Sequence, residues 1–355
     1  MIRVGVVGFG LGGRVFHAPV VASVEGLELA AIVERSTNNA AQRYPGVTIY
    51  RTLDALLADS SIGLVVVTTP SGSHFEVARQ ALEAGKNVVV DKPVSVTSAE
   101  IAQLMKLAAA RGLLLVPYHD RRWDSDFQTV QKLLREGALG RFLHMESNFD
   151  RWRPVPRPTA WKEDPAKGGG QLLDIATHLV DQTLVLFGKP LAVGAEILRE
   201  RGGEGSDDAF TVRLRYEGFS ATLGGNCFSS LARCRFHLRG TKGNFRKWGL
   251  DPQEEALHLV TRIDDPAWGQ DPPANWGTLC VDVDGAMVTQ PVEPGVGDYR
   301  LYYAGVRDAL LGKAPAPVAT LDAWRVARLL EWAVESATER REILCDWNGE
   351  PECTG

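Results

Sequence analysis

A mostly apolar, β-branched run from Arg3 to Val7 breaks directly into Gly8-Phe9-Gly10-Leu11-Gly12-Gly13, and then into a stretch that suits a helix from Arg14 onward. Few features constrain a chain more than a strand that turns through glycines into a helix. The first glycine permits the tight turn and the second lets the backbone approach a bulky anion. The third allows the helix to pack closely on the strand, and the helix start offers free N–H groups and positive potential. The pattern predicts a pyrophosphate site with Gly8, Phe9, Gly10, Gly13 and Arg14 around it.

Glu34 follows a second apolar run, Leu27 to Val33, and lies 21 positions past Gly13. A carboxylate at this place accepts the ribose hydroxyls of NAD. Its neighbours Arg35, Ser36 and Thr37 suit a 2′-phosphate equally well, because a guanidinium pairs with phosphate through a fixed fork of donors. NAD and NADP both remain open.

Further along, short β-branched runs (Leu64 to Thr68, Asn87 to Val90, Leu113 to Val116) alternate with helical stretches (His74 to Leu82 before Gly85, Ser98 to Arg111 before Gly112). This alternation builds a parallel sheet covered on both faces. Residues 1–122 are therefore expected to form an α/β, doubly wound Rossmann domain. Residues 123–355 change style, with a helix from Ser125 to Arg135, a strand near Phe142 to Phe149 and a Pro- and Arg-rich loop from Arg151 to Lys167. Ala209 to Tyr216, Phe219 to Gly224 and Arg233 to Arg239 alternate, with Phe210, Val212, Leu214 and Tyr216 on one side and Thr211, Arg213 and Arg215 on the other. Arg201 to Gly205 reads as a turn between strands, and a helix from Leu321 to about Glu339 closes the chain. The expectation is a C-terminal α+β domain with a large, mostly antiparallel open sheet. Its polar face is suited to pairing about a two-fold axis, giving a homodimer or homotetramer.

Two domains fit 355 residues. With 39 basic and 44 acidic residues, net −5 and no long run of either sign, neither nucleic acid nor an anionic membrane is expected as a partner. The five cysteines (Cys227, Cys234, Cys280, Cys345, Cys353) are widely spaced, which predicts reduced thiols in a cytoplasmic protein. Glycines at 5, 8, 10, 12 and 13 spoil the apolar N-terminus as a signal peptide, and no uncharged apolar run reaches membrane-spanning length.

Two clusters carry chemistry. Asp91-Lys92-Pro93 directly follows a strand, so Lys92 belongs at the carboxyl edge of the sheet, on the side of the glycine turn. Asp174 and His178 are four apart after Gly168-Gly169-Gly170, on an otherwise apolar helix, with Asp181 one turn on. That stripe should face a cleft or a partner. A metal is not expected, since no third ligand stands at a recognisable spacing. His17, His144, His237 and His258 are isolated and read as structural or surface residues.

Taken together, these motifs, with Thr68-Thr69-Pro70 followed by His74 and with Arg121-Arg122-Trp123-Asp124, resemble the glucose-fructose oxidoreductase, inositol dehydrogenase and rhizopine-catabolism (Gfo/Idh/MocA) family over nearly the whole chain. The likeness is strongest to its NADP-dependent scyllo-inositol dehydrogenase branch. The resemblance implies an NAD(P)-dependent dehydrogenase or reductase acting on a CH–OH group of a small sugar, inositol or polyol. In it Lys92, Asp174 and His178 would be catalytic: His178 as general base, Lys92 stabilising the alkoxide, and Asp174 positioning both. Thr69, Pro70, His74 and Asp91 would border the cofactor; Arg121, Asp150 and Arg151 would form the substrate rim, with Trp123 and Trp161 as walls. Two positions depart from the family pattern. Asp91 replaces the usual Glu, and Asp120 stands where this branch often has Asn. Some relatives cleave glycosides with a retained NAD, and others sense redox state without catalysis; the intact Lys-Asp-His set favours the dehydrogenase.

Overall fold

A computed structural model describes residues 1–157, 161–259 and 263–352; Cys353 and part of the loop expected after Arg151 lie outside them. Six strands, β1 (Ile2–Val7), β2 (Leu27–Val33), β3 (Thr48–Tyr50), β4 (Leu64–Val67), β5 (Asn87–Asp91) and β6 (Leu115–Tyr118), form one parallel sheet in the order β3-β2-β1-β4-β5-β6. All four residues of β4 are buried, as a strand covered on both faces requires. Val7 is level with both Val33 and Val67, Val67 with Val90, and Asp91 with Tyr118. The carboxyl ends of these strands therefore open at one height, and the order reverses between β1 and β4, where a ligand crevice forms.

The helices Ser98–Arg111 and His74–Glu83 stand where expected, followed by Gly112 and Gly85 with φ of 63° and 75°. The first helix starts earlier than Arg14: a wide π-type turn covers Gly12–His17, and an α-helix runs on over Ala18–Ser23. Pro19 has no N–H to give to the turn before it, so the regular helix begins afresh with proline in its first turn.

The remaining strands are β7 (Phe142–Asn148), β8 (Ala192–Leu198), β9 (Ala209–Arg215), β10 (Ser220–Asn226), β11 (Phe236–Gly240), β12 (Gly243–Lys247), β13 (Gly277–Val283), β14 (Ala286–Val292) and β15 (Ile343–Leu344). They make a nine-stranded sheet, β14-β13-β12-β11-β7-β10-β9-β8-β15, antiparallel except where β7 meets β10. Phe210, Val212, Leu214 and Tyr216 do share the buried face, packed with Leu179, Val180, Leu329 and Leu330 from the helices Thr177–Phe187 and Thr320–Glu339. The opposite face carries exposed Thr211 and Arg213. The last element is not the long helix: β15 follows it and pairs with β8 at the sheet edge.

The chain also returns to the first sheet. Tyr299, Tyr302, Tyr303 and Val306, the last three on the helix Arg300–Leu310, join Val4, Val6, Val116 and Tyr118 in one core, while Trp324 packs with Val65, Val67 and Val88. We propose 122/123 as the boundary between domains, because the sheet changes there, with this returning segment cementing the two. Among the described residues no helix is long and apolar enough to cross a membrane, and no group of three or more His, Cys, Asp or Glu side chains is placed to hold a metal ion.

Candidate active site

The glycine turn has the shape that its sequence implies. Gly8 has a φ of +104°, which favours glycine, and its N–H reaches Val33 O at 3.2 Å. A Cβ on Gly13 would stand 2.1 Å from Gly8 O, whereas one on Gly10 would meet nothing within 4 Å. The helix is thus packed tightly on the turn while the space over Gly10 is open, which fits a pyrophosphate. Thr68 Oγ1 donates to Gly8 O at 2.9 Å and ties the turn to the end of β4. Phe9 rests edge-on against Tyr44, and Arg14 is exposed.

Glu34 occupies the end of β2, but its carboxylate is turned into its own loop. It accepts from the Thr37 hydroxyl and from the main-chain N–H groups of Asn39 and Ala40, each at 3.1 Å. Burial would raise this carboxyl, yet these hydrogen bonds hold it below its usual value. Arg51 braces the same loop from behind, donating to Glu34 O at 2.7 Å. Arg35 and Ser36 are exposed, and Arg35 has no ion pair among the described residues.

At the end of β5, Lys92 reaches across to the second domain. Its Nζ donates to Asp174 O at 2.5 Å and to Asp174 Oδ1 at 2.9 Å. Lys162 Nζ lies 2.6 Å from Oδ1 and Arg151 Nη1 is 3.1 Å from Oδ2. Burial alone would raise the Asp174 carboxyl, but Lys92, Lys162 and Arg151 together hold it well below the carboxylate range. Burial also pushes the Lys92 ammonium down, against the pull of Asp174.

His178 is buried and makes no hydrogen bond to another described residue. Burial, and then the charges of Lys92 and Arg121, push its pKa well below the ordinary imidazole value, so the ring is neutral and free to accept a proton. The helix that carries Asp174 opens as a wide turn, Leu172–Ala176, before the regular stretch. Gly169 and Gly170 admit it, since a Cβ on them would stand 2.4 Å from Lys162 O and 2.2 Å from Asp207 Oδ1. Asp181 leaves the stripe: its carboxylate takes Arg122 at 2.6 and 2.9 Å.

Asp91 lies between the glycine helix and Lys92. Its carboxylate accepts from Lys92 N at 2.8 Å and is 3.7 Å from His17 Nε2. Burial opposes its ionisation, but His17 foremost draws its pKa down to about 2. His17 in turn holds the Tyr303 hydroxyl at 2.6 Å. Its position one turn after Gly13 is the signal that would have joined it to the site. His74 is buried between two loops, with Nδ1 2.7 Å from Pro93 O and Nε2 2.6 Å from Thr69 O, and so braces Thr69 and Pro70 against the Lys92 loop. A neutral ring donates to one of these carbonyls only.

Of the five rim residues, Arg151 and Trp161 stand beside Asp174: Arg151 through its ion pair, and Trp161 with Lys162 Nζ 5.7 Å from its ring centre. The other three are engaged elsewhere. Arg121 is buried, pairs with Asp124 and Glu254, and lies over Phe149. Trp123 packs on Tyr302. Asp150 is tied to Arg233 at 2.7 Å and to Asn226 at 3.1 Å. Lys162 escaped sequence reading because one lysine in a basic loop carries no signal until its partner is seen.

Residues 2–119 match the model of an oxidoreductase family with an NAD-binding Rossmann fold, and residues 127–246 match the GFO/IDH/MocA C-terminal domain. The chain is 39% identical to the uncharacterized oxidoreductase YdgJ of Escherichia coli over 97% of its own length and 98% of the relative's. It is 34% identical to the scyllo-inositol 2-dehydrogenase (NADP(+)) IolW of Bacillus subtilis, over 97% and 96%. Among solved structures, yvaA of Bacillus subtilis superposes with a TM-score of 0.94 at 34% identity, covering 97% and 98% of the two chains. An oxidoreductase from Bacillus cereus gives 0.88 at 27%, covering 98% and 99%. With its glycine turn, its two sheets and these matches along both halves, the chain belongs to the GFO/IDH/MocA family of NAD(P)-binding oxidoreductases.

Proposed function

We propose that this oxidoreductase is an NADP-linked dehydrogenase or reductase that interconverts a secondary alcohol and a ketone on an inositol, sugar or related polyol. The observation that carries the reading is the pair Lys92–Asp174, at 2.9 Å, beside a buried imidazole, His178, that makes no hydrogen bond among the described residues. An ammonium has three donors. Two of those on Lys92 go to Asp174, and the third is left for a substrate oxygen. His178 takes the hydroxyl proton, Lys92 stabilises the oxyanion that forms, and Asp174 fixes Lys92 in place. The bound nicotinamide supplies the acceptor for the hydride from the carbinol carbon. Arg151, Lys162 and Trp161 form the polar mouth that a hydroxylated ring would enter.

NADP is preferred over NAD in this reading for two reasons. Glu34 has three of its roughly four acceptor sites taken by its own loop, too few left to take two ribose hydroxyls, and exposed Arg35 and Ser36 are free to take a 2′-phosphate. The NADP(+) in the name of IolW agrees. The polar outer face of the nine-stranded sheet supports self-association as a homodimer or homotetramer, and the widely spaced cysteines support a cytoplasmic setting. The test is to follow reduced nicotinamide by absorbance with NADP or NAD and a panel of inositols, aldoses and polyols. Turnover on one polyol with NADP supports the proposal; silence with every polyol, or turnover with NAD alone, overturns it.

A further inference from the structure

One buried acid next to this machinery has no part in it so far. Asp120 follows β6, at the carboxyl edge of the first sheet, with 4% of its surface exposed. Its carboxyl makes no hydrogen bond to any described residue, although a carboxylate withdrawn from water is costly unless it is paired. The charges that act on it most are Arg121, Asp91, Lys92 and His17. Arg121 is already engaged by Asp124 and Glu254, and Lys92 by Asp174. The other two belong to the glycine-turn side of the crevice, since a Cβ on Gly12 would stand 2.7 Å from Asp91 Oδ2. Tyr118 is level with Asp91 across β5 and β6, so Asp120, two residues on, follows the same carboxyl edge of the sheet from which Asp91 and Lys92 emerge.

We propose that Asp120 is the counter-charge for the oxidised nicotinamide: a buried carboxylate with no hydrogen-bond partner among the described residues, at the strand edge beside Asp91 and Lys92, that makes the site favour the positively charged ring over the reduced one. Hydride transfer makes the ring neutral and takes away this partner, so the reduced cofactor is held less firmly and leaves more readily. The inference rests on the dinucleotide site alone and stands whether or not the substrate is a polyol.

The preference should depend on pH. Burial foremost, with Asp91 adding to it and Arg121 opposing, raises the Asp120 carboxyl to about 6. The groups around it are Arg121 and Asp124 of its own turn, Asp91 and Lys92 after β5, His17 of the first helix, Tyr118 of β6, and Tyr299, Tyr302 and Tyr303 of the returning segment. The four phenols are raised well above their ordinary value by burial and do not titrate near 6.

The experiment is calorimetric titration of the whole protein, without substrate, with NADP+ and with NADPH from about pH 5 to about pH 8, repeated with NAD+ and NADH. A 2′-phosphate is common to both redox forms and cancels in the ratio of their dissociation constants. In the wild type, Kd for the reduced form over Kd for the oxidised form should rise about tenfold as pH increases through the titration, as one unit charge at an effective dielectric of about 20 allows. In Asp120→Asn the ratio should be flat, with a melting transition like the parent's. A ratio independent of pH in the wild type, or a variant that follows the wild type, overturns the proposal. Should Asp120→Asn fail to fold, the wild-type titration still decides, with Asp120→Ser as the second variant. Failure here with intact cofactor binding leaves the polyol reading untouched, and absence of polyol turnover leaves this one untouched.

Discussion

Lys92 Nζ stands 2.5 Å from the main-chain oxygen of Asp174 and 2.9 Å from its carboxylate, so one side chain links the edge of the first sheet to the helix that roofs the crevice. The link both holds two domains in register and aims the remaining donor of the ammonium. Positioning and electrostatics are therefore carried by the same group.

Lys92→Met removes that donor and leaves Asp174 to Lys162 and Arg151, which still neutralise it. Loss of one preorganised donor to a developing oxyanion costs about 10²- to 10³-fold in kcat. We expect this loss in steady-state assays, with cofactor affinity, measured by nicotinamide fluorescence, within about threefold of wild type, on the scale of minor binding changes. Wild-type kcat in the variant refutes the role of Lys92.

His178→Ala should cost about 10²- to 10⁴-fold in the oxidation direction, the usual worth of a placed base. The pH profile carries a sharper statement. Since burial and neighbouring cations depress the imidazole, its neutral form persists below the ordinary value of about 6.5. The acid limb of kcat/KM for oxidation should fall below that value, not at it. A limb at or above about 6.5 identifies a different base.

Much of the first sheet is legible in sequence because its strands are buried on both faces and read as unbroken Val-rich runs. β3 and β14 are not. β3 has three residues, and β14 is exposed at six of seven positions and carries Pro291 at a sheet edge, so neither shows a buried period. The return of Tyr302 and Tyr303 onto β1 and β6 depends on packing across most of the chain, which no local pattern reports. At the site, Gly8, Lys92 and Asp174 were readable because glycine geometry and strand ends fix them. Glu34 was only half readable: whether its oxygens turn to a ribose or to the N–H groups of Asn39 and Ala40 is decided by the curl of the following loop. Arg121 and Arg122 look alike in sequence, and only the fold shows each to be locked to an acid.

Arg35→Ala tests the cofactor preference. A charge-assisted hydrogen bond to phosphate is worth about 1.5–3 kcal/mol, so KM for NADP should rise about tenfold to a hundredfold while KM for NAD stays nearly constant. The ratio of kcat/KM for the two cofactors is the quantity to measure. An unchanged ratio removes Arg35 from the 2′-phosphate.

Two glycines of the turn separate folding from binding. At Gly13 a Cβ would sit 2.1 Å from Gly8 O, while at Gly10 it would touch nothing within 4 Å. Gly13→Ala must push the helix off the strand, and overpacking of this kind costs about 1–3 kcal/mol, visible as a lower midpoint in urea unfolding. Gly10→Ala should unfold at the parent's midpoint, because its methyl group meets only the crevice. That same methyl occupies the space where the backbone has to approach the pyrophosphate, so dinucleotide affinity should fall by about tenfold or more, equivalent to about 1.4 kcal/mol. A Gly10→Ala protein that binds dinucleotide as tightly as the parent would place the pyrophosphate elsewhere, and a Gly13→Ala protein of parental stability would show that the helix has room to yield.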